Sequence, residues 1–301
     1  MASRTPLLNL SSKPLLVSAC AVTGVGAYFG ARSLLTQAHA ESNEPNYVFH
    51  SWGPKTLRLK SSKSVNHNTK RLVFELPGEN SQSGLTIISS LLTFSRPAGR
   101  WLPVIRPYTP ISVSAQTGIV ELMVKQYPNG KASTHLHSLN PGDSLTFLFP
   151  IKEYEWVPNR FSQVYLIAGG LGITPMYQVL QGILNNPNDK TKVNLIFGVN
   201  SEEDILLKDE LEGFKQRFPT RFNYCYVVSD LKQEKLGLRK GRIDEKLLQE
   251  ITGRPDKSMK VLLCGPPPMT SALVGPKIGF MSTGGGVLGR LGFTKDQIHS
   301  F

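Results

Sequence analysis

The stretch Val164-Tyr-Leu-Ile-Ala-Gly-Gly-Leu-Gly-Ile-Thr-Pro-Met176 decides the fold of the second half of this chain. It begins with a continuous apolar run, which is typical of a buried parallel strand. Its three glycines would let the backbone approach a ligand without interference from a Cβ atom. Thr174 is a good helix N-cap residue and Pro175 a good first helical residue. A tight turn without a ligand could use the same glycines, but the complete strand-to-helix pattern favours a phosphate site.

The same alternation of strands and helices continues from this stretch to the C-terminus. Further apolar strands are predicted at Lys192–Val199, Phe222–Val228 and Val261–Leu263. Helices are predicted at Pro175–Leu184, after the capping box Ser201–Asp204, and around Asp244–Ile251. Such alternation indicates a parallel sheet covered by helices, and we assign residues 159–301 to this α/β domain.

Short strands with alternating polar and apolar residues precede that domain. They are predicted at Thr56–Lys60, Leu72–Leu76, Ile119–Lys125 and Ser144–Phe149. Several short strands at this spacing suggest a small antiparallel barrel, which we assign to residues 55–158. A linker rich in Asn, Pro and Gly is predicted over residues 41–54.

The first forty residues differ in composition from the rest, because they contain three basic residues and no acidic one. Pro14–Gly30 carries no charge and, as a helix, would rise about 26 Å. A hydrocarbon core is about 30 Å thick, so extension to Leu35 would span it if Arg32 snorkels. The pattern predicts mitochondrial import and a membrane anchor over residues 1–40. Ala38-His-Ala40 also has the A-x-A form of a cleavage site, so a cleaved secretory signal is the alternative. Both would hold if only part of the protein were processed to a soluble form.

The overall charge of +12 would attract anionic partners such as nucleic acid, acidic proteins or anionic lipid, but a charge that only serves solubility would look the same. No run of Lys and Arg alternates with aromatic residues, so we expect no nucleic-acid partner.

The three cysteines show no pair spacing, which argues against a disulfide framework or a zinc site. His135 and His137 stand two positions apart and would not share a helix face, so we expect no metal site there.

Three further segments carry candidate binding residues. Cys264 ends a predicted strand beside a Gly-Pro turn, at the sheet edge where ligands collect. It could be a buried small hydrophobe instead. In Val104–Ser112, Arg106 can bind a diphosphate and Tyr108 offers a flat face, although a surface Arg and a core Tyr would look the same. Gly130–Ser133 precedes a short predicted helix and forms a second candidate anion site.

Together these segments resemble the NADH-cytochrome b5 reductase family of the ferredoxin-reductase superfamily, in order and spacing, from about Trp52 to Phe301. The resemblance implies a barrel domain that binds FAD and an α/β domain that binds NADH. The cofactor-binding residues that it implies are Arg106, Pro107, Tyr108, Thr109, Val124, Tyr127, Gly130, Lys131, Ala132, Ser133, Gly169, Gly170, Gly172, Ile173, Thr174, Pro175, Met176, Asp230, Cys264, Gly265, Pro266, Pro267 and Met269.

The resemblance also implies roles for individual side chains. His67 would form with Thr109 a hydrogen-bond relay near the flavin N5 atom. Asp230 would favour NADH over NADPH, because a carboxylate pairs with a ribose 2′-hydroxyl and repels a 2′-phosphate. Lys125 would lie near the nicotinamide and the electron acceptor, and Cys264 beside the nicotinamide.

The implied activity is hydride transfer from NADH to FAD, followed by one-electron transfer to cytochrome b5 or a similar acidic haem protein. The anchor and Ser83–Thr93 resemble the fungal mitochondrial branch, which implies a single-pass protein of the mitochondrial outer membrane. Its catalytic part would face the intermembrane space, and we expect a monomer.

Two departures from the family pattern keep other functions open. Leu148-Phe149-Pro150 stands where the family usually has Lys-Gly-Pro, and Leu171 stands where it has Thr or Ser. One alternative is a related NADH reductase with another acceptor, such as a ferredoxin, a quinone or a dye. The other is a membrane-tethered nucleotide-binding protein whose redox site has decayed.

Overall fold

The computed structural model describes residues 46–50, 53–97, 99, 101–233, 235, 237–278, 281–282 and 285–301. Residues Asn46–Phe301 form one unit. The predicted anchor over residues 1–40, the first part of the linker and Trp52 lie outside the described residues. Within the described part of the chain, no helix is long and apolar enough to cross a membrane.

The first sheet is antiparallel and has six strands. They are β1 (Lys55–Asn66), β2 (Thr69–Glu75), β3 (Ser89–Ser95), β4 (Val104–Tyr108), β5 (Ile119–Lys125) and β6 (Ser144–Lys152). Their order in space is β4-β3-β6-β1-β2-β5. An isolated bridge between Pro110 and Leu122 brings the two edges of this sheet together in the manner of a barrel. Helix α1 (Lys131–Ser138) lies between β5 and β6 in the chain.

Alternating side chains fill the interior of this sheet. Leu57 and Leu59 on β1 and Leu72 and Phe74 on β2 are almost completely buried, and the residues between them are more exposed. The period of two places one apolar row inside. The ring of Phe147 meets that of Phe74 edge to face, with centroids 5.3 Å apart.

The second sheet is parallel. Its strands are β7 (Gln163–Gly169), β8 (Lys192–Val199), β9 (Phe222–Val228), β10 (Leu238–Lys240), β11 (Met259–Cys264) and β14 (Ile298–Ser300). Their order in space is β10-β9-β8-β7-β11-β14. The helices of this half are α2 (Ile173–Leu184), α3 (Lys208–Arg217), α4 (Glu245–Thr252), α5 (Pro267–Val274) and α6 (Val287–Arg290). A short antiparallel pair, β12 (Lys277–Ile278) and β13 (Met281–Ser282), precedes α6. This architecture confirms the predicted combination of an antiparallel and a parallel sheet.

Two predicted helix starts are corrected by the structure. A 3-10 turn over Gly170–Gly172 leads directly into α2, so Gly172 is the N-cap and Thr174 lies inside the helix. The Thr174 hydroxyl donates to the Leu171 carbonyl at 3.1 Å. The capping box Ser201–Asp204 is present, but it caps a separate 3-10 turn over Glu202–Asp204, and α3 begins only at Lys208.

Polar contacts join strands of the first sheet to helices of the second half. The amide of Gln178 accepts from the Ser89 N–H at 3.0 Å and donates to the Ser89 carbonyl at 3.1 Å. Arg71 on β2 forms ion pairs with Glu121 on β5 and, at 3.0 Å, with Glu210 on α3. These contacts fix how the end of the barrel faces the parallel sheet.

Candidate cofactor and coenzyme site

A cleft of about 1490 Å³ opens between the two sheets. It is bounded by the ends of β4 and β5, by the N-terminus of α1, and by the carboxyl ends of β7, β8, β9 and β11. Twenty-one of the predicted site residues line it: Arg106, Pro107, Tyr108, Thr109, Lys125, Tyr127, Gly130, Lys131, Ala132, Ser133, Gly169, Gly170, Gly172, Thr174, Pro175, Asp230, Cys264, Gly265, Pro266, Pro267 and Met269.

Four predicted site residues do not line the cleft. Val124 is fully buried in the barrel, because the pleat turns it away while Met123 and Lys125 face the cleft. Ile173 and Met176 belong to α2 and are fully buried. His67 is exposed in the β1–β2 turn, where its Nε2 atom lies 2.8 Å from the side-chain Nδ2 atom of Asn68. The structure therefore does not place His67 with Thr109 along this cleft, and the relay between them stays a prediction.

The glycine loop packs against the Cys264 turn through backbone atoms. A Cβ atom on Gly172 would lie 2.2 Å from the Cys264 carbonyl oxygen and 2.5 Å from its carbonyl carbon. Gly170 has a φ of 52°, in the left-handed region that favours glycine. The loop can keep this position only with glycine at 172, which leaves the N-terminus of α2 open to a phosphate.

The barrel side of the cleft offers two places for a diphosphate. Arg106 is exposed on β4, and its Nη1 atom donates to the Ile105 carbonyl at 2.8 Å, which leaves other guanidinium donors available. Gly130 is the N-cap of α1, whose first N–H groups have no partner within the helix. A Cβ atom on Gly130 would lie 2.5 Å from the Ser133 hydroxyl, so a larger residue would disturb this turn.

Tyr108 and Cys264 present neutral groups to the cleft. Burial raises the pKa of the Tyr108 phenol to about 12, although the charge of Arg106 acts in the opposite direction. Burial also raises the pKa of the Cys264 thiol to about 12, and the carboxylate of Glu153 adds to this effect. At neutral pH both groups are protonated, so Cys264 can contact a nicotinamide ring without acting as a thiolate nucleophile.

Lys125 is held by Asp204 across the cleft. The Lys125 ammonium lies 3.0 Å from the Asp204 carboxylate, and the two side chains are only 19% and 9% exposed. Burial would raise the pKa of Asp204, but hydrogen bonds and charge from Lys125, with hydrogen bonds from Ser201, lower it overall. Lys125 lines the cleft as one partner of this ion pair, and its place near the nicotinamide and the electron acceptor stays a prediction.

Sequence reasoning missed several residues of the cleft, including Ser90, Glu153, Asp204, Arg242 and Phe301. The Ser90 hydroxyl donates to the carboxylate of Glu153, and burial raises the pKa of that carboxyl. For Asp204 the capping-box pattern marked a turn but gave no sign of Lys125, because the two residues are 79 positions apart. No local signal pointed to Glu153 or Phe301.

The two departures from the family pattern differ in position. Leu171 lines the cleft within the glycine loop, where its carbonyl accepts the Thr174 hydroxyl. Phe149 is 53% exposed and is not among the residues that line the cleft. The ring of Phe149 therefore does not occupy the space between the barrel and the glycine loop.

The arrangement fits a dinucleotide flavin and a pyridine nucleotide. The guanidinium of Arg106 and the α1 N-terminus can hold a diphosphate, and Tyr108 can flank a flat ring. On the opposite wall, the α2 N-terminus can hold the pyrophosphate of a second nucleotide. Within the described residues, no group of three or more His, Cys, Asp or Glu side chains could hold a metal ion.

Comparison with protein families divides the chain into the same two parts, a flavin-binding part and a nicotinamide-nucleotide-binding part. The family described as Oxidoreductase FAD-binding domain matches residues 56–156, and the Oxidoreductase NAD-binding domain matches residues 166–274. The first match falls on the antiparallel sheet and the second on most of the parallel sheet. The chain is thus built from a flavin-binding and a nicotinamide-nucleotide-binding oxidoreductase domain.

Curated relatives are similar over nearly the whole chain. NADH-cytochrome b5 reductase 2 of Pyricularia oryzae is 43% identical over 95% of this chain and 88% of its own length. That of Emericella nidulans is 43% identical over 92% of this chain and 87% of its own length.

Solved structures of cytochrome b5 reductase domains also superpose on this chain. The cytochrome b5 reductase domain of Ulva prolifera nitrate reductase superposes with a TM-score of 0.73 and 27% identity, covering 86% of this chain and 100% of that domain. The CS-b5R domains of human Ncb5or superpose with a TM-score of 0.67 and 26% identity, covering 87% of this chain and 71% of that one. Both predicted cofactor domains and their order are confirmed, and the chain belongs to the NADH-cytochrome b5 reductase family.

Proposed function

We propose that this protein oxidises NADH and passes the electrons through FAD, one at a time, to cytochrome b5 or a similar acidic haem protein. The observation that carries the proposal is the single cleft that brings the flavin motif of the barrel opposite the glycine loop and Cys264. The names of the curated relatives and of the Ulva prolifera domain support the choice of acceptor.

Bound FAD would supply the redox chemistry, accepting a hydride at N5 and releasing two electrons singly. The protein itself binds FAD and NADH and orients them relative to each other. Arg106 and the N-terminus of α1 hold the flavin diphosphate, and Tyr108 flanks the ring system. The glycine loop and the Cys264 turn hold NADH, and Asp230 accepts a hydrogen bond from a ribose hydroxyl. Thr109 presents a hydroxyl within the cleft, and His67 is its proposed proton partner.

The boundaries proposed for the two domains are residues 55–158 and 159–301.

An anaerobic titration of the purified protein with NADH tests this proposal. We expect a yellow protein whose flavin absorbance is bleached by one equivalent of NADH. A colourless protein that cannot be loaded with FAD would favour the alternative of a decayed redox site. A protein that bleaches but does not reduce cytochrome b5 would favour another acceptor.

The reaction with the acceptor should depend steeply on salt. Residues 1–40 hold three of the twelve excess positive charges, so the remaining residues carry nine. A basic surface attracts an acidic partner, and added salt screens that attraction. The Debye length falls from about 30 Å at 0.01 M to about 8 Å at 0.15 M ionic strength. We expect the second-order reduction of cytochrome b5 to slow strongly across this range.

Stopped-flow measurement of both half-reactions provides the control for this effect. Flavin reduction by bound NADH should change much less with salt, because it takes place inside the cleft. If the acceptor step does not vary with salt while the protein is active and flavin-loaded, electrostatic steering is not how the partner is found.

We also propose that residues 1–40 anchor the protein in the mitochondrial outer membrane, with the catalytic part in the intermembrane space. The acid-free, basic and apolar character of this segment supports the proposal. Protease protection of isolated mitochondria tests the location. A cytosolic full-length chain would contradict it.

Deletion of residues 1–40 should release an enzyme with full NADH–ferricyanide activity, because every proposed site residue lies after Trp52. Activity and FAD content of the truncated and full-length proteins are measured side by side. A folded, FAD-loaded truncation without activity would show that the first forty residues contribute to the site.

A further inference from the structure

The connection between the antiparallel strands β3 and β4 exposes two consecutive apolar side chains, which we call the hairpin tip. Trp101 is 92% exposed and Leu102 is 64% exposed, and among the described residues these are the two most exposed large apolar side chains. Neither of them lines the cleft. A single exposed apolar residue is ordinary, but a contiguous apolar surface marks a place of contact with something else.

The apolar surface continues from the hairpin tip along one side of β4. Ile105 is exposed and pairs with Phe94 on β3. Val104 and Arg106, on either side of Ile105, line the cleft, whereas Ile105 does not. Because a strand alternates its side chains, Ile105 faces away from the cofactor site. Holding FAD or NADH therefore does not account for this surface.

The chain around the hairpin tip carries positive charge only. Residues 80–120 contain three Arg residues and no Lys, Asp or Glu. One of them, Arg96, is exposed at the end of β3, five positions before Trp101. Tryptophan is enriched where a protein meets the headgroups of a bilayer, and basic residues there attract anionic lipid. The composition of this hairpin is thus complementary to an anionic membrane surface.

The size of the hairpin tip favours a lipid surface over a protein partner. An aromatic side chain buries about 150–250 Å². Trp101 and Leu102 together therefore offer much less than the roughly 800 Å² that each partner contributes to a stable protein interface. A bilayer needs no such area when the protein is already tethered to it, because the tether supplies a high effective concentration.

The chain length before the barrel supports such a tether. The proposed anchor ends at residue 40, six positions before Asn46. An extended chain of six residues reaches about 20 Å at most. The segment that begins with Asn46 bonds to the barrel half, since the Val48 N–H donates to the Gln82 carbonyl at 2.9 Å. The anchor therefore delivers the barrel, which carries the hairpin tip, to the membrane.

We propose that the hairpin tip is a second membrane contact, in which Trp101 and Leu102 enter the headgroup region of a bilayer and Arg96 meets anionic headgroups. This inference rests on the proposed anchoring by residues 1–40. β4 leads from the hairpin tip to the flavin motif, so the contact fixes the orientation of the cleft relative to the bilayer.

Quenching by brominated lipid tests this contact in the FAD-loaded full chain. The protein is reconstituted into vesicles of phosphatidylcholine and phosphatidylserine, with and without brominated phosphatidylcholine. The difference between the emission of the wild type and that of Trp101→Phe isolates the Trp101 indole. We expect brominated lipid to remove most of this component. Leu102→Asp should abolish the quenching, because a carboxylate resists transfer into the apolar part of the interface.

Val113→Asp is the matched control, because Val113 is another exposed apolar residue but lies in the loop after β4. It should leave the quenching of Trp101 unchanged. The inference is overturned if Leu102→Asp and Val113→Asp reduce the quenching equally. It is also overturned if brominated lipid does not quench Trp101 in a protein that floats with the vesicles. A blue-shifted but unquenched emission would then place Trp101 against a protein partner or a second copy of the chain.

Two parallel measurements separate this inference from the proposals on which it depends. Flotation of the vesicles reports on the anchor, and a full chain that does not float would contradict the anchor and this inference together. NADH bleaching of the flavin in the same samples reports on electron transfer. Its absence would contradict the proposed activity and would leave the quenching result to decide the membrane contact.

Discussion

Replacing Gly172 with alanine should slow flavin reduction by NADH by about a hundredfold or more. The new Cβ atom would lie 2.2 Å from the Cys264 carbonyl oxygen and 2.5 Å from its carbonyl carbon. Both are backbone atoms, so the turn after Cys264 must move to make room. A displacement of about 1 Å in groups that orient a reactant can cost about a hundredfold in rate. Stopped-flow bleaching of the flavin measures this step directly.

The three atoms nearest to the added Cβ atom belong to Cys264 and Gly265, which lie in the parallel-sheet half, so Gly172→Ala should retain FAD. Gly213→Ala is the control, because Gly213 lies in α3 and an added Cβ atom would meet nothing within 4 Å. That substitution should keep the wild-type rate and slightly stabilise the helix. If Gly172→Ala reduces its flavin as fast as the wild type, the close packing of the glycine loop on Cys264 does not govern NADH binding.

Arg106→Ala should weaken the retention of FAD while the fold stays intact. The guanidinium is exposed on β4 and lines the cleft beside Tyr108, so its loss removes a charge-assisted contact with a diphosphate. Such a contact contributes about 2 kcal/mol, or roughly a thirtyfold change in affinity. Flavin occupancy after dilution and gel filtration measures the effect.

Arg96→Ala provides the comparison for this charge change. Arg96 is exposed just after β3 and does not line the cleft, so its replacement should leave flavin occupancy unchanged. A folded Arg106→Ala protein that keeps full occupancy would refute the assignment of Arg106 to the flavin diphosphate.

Local patterns predicted much of the fold because they reflect burial. The strands Ile119–Lys125, Lys192–Val199 and Phe222–Val228 have the bounds that their apolar patterns predict. β3 and β4 were not predicted as separate strands. β3 combines Ser and Thr with apolar residues, and most of its positions are buried, so it shows little alternation. β4 contains Pro107, which its place at the edge of the sheet tolerates.

The candidate site was predictable where its residues belong to one continuous sequence motif. The glycine loop and the Arg106 motif are such segments, and both face the cleft. Contacts between distant residues left no local pattern. Ser90 and Glu153 are 63 positions apart, and Asn66 reaches the Glu203 carbonyl over 137 positions. For the same reason, the pairing of Lys125 with Asp204 could only be seen once both sheets were in place.

The remaining differences between the predicted and the observed site come from the side-chain alternation and the alignment of strands. Val124 lies between two residues that face the cleft, and a strand alternates its side chains, so proximity in sequence was misleading there. The alignment of β10 with β9, which pairs Lys240 with Val228, is likewise not determined by the composition of residues 231–242.

The most direct test of the proposed activity is the stoichiometry of cytochrome b5 reduction by the purified, FAD-loaded full chain. Limiting NADH is added anaerobically to excess ferricytochrome b5, and the flavin and haem absorbances are followed together. We expect the flavin to cycle and two molecules of ferrocytochrome b5 to appear for each NADH oxidised. A flavin that NADH bleaches but cytochrome b5 cannot reoxidise, or a protein that NADH does not bleach, would contradict it.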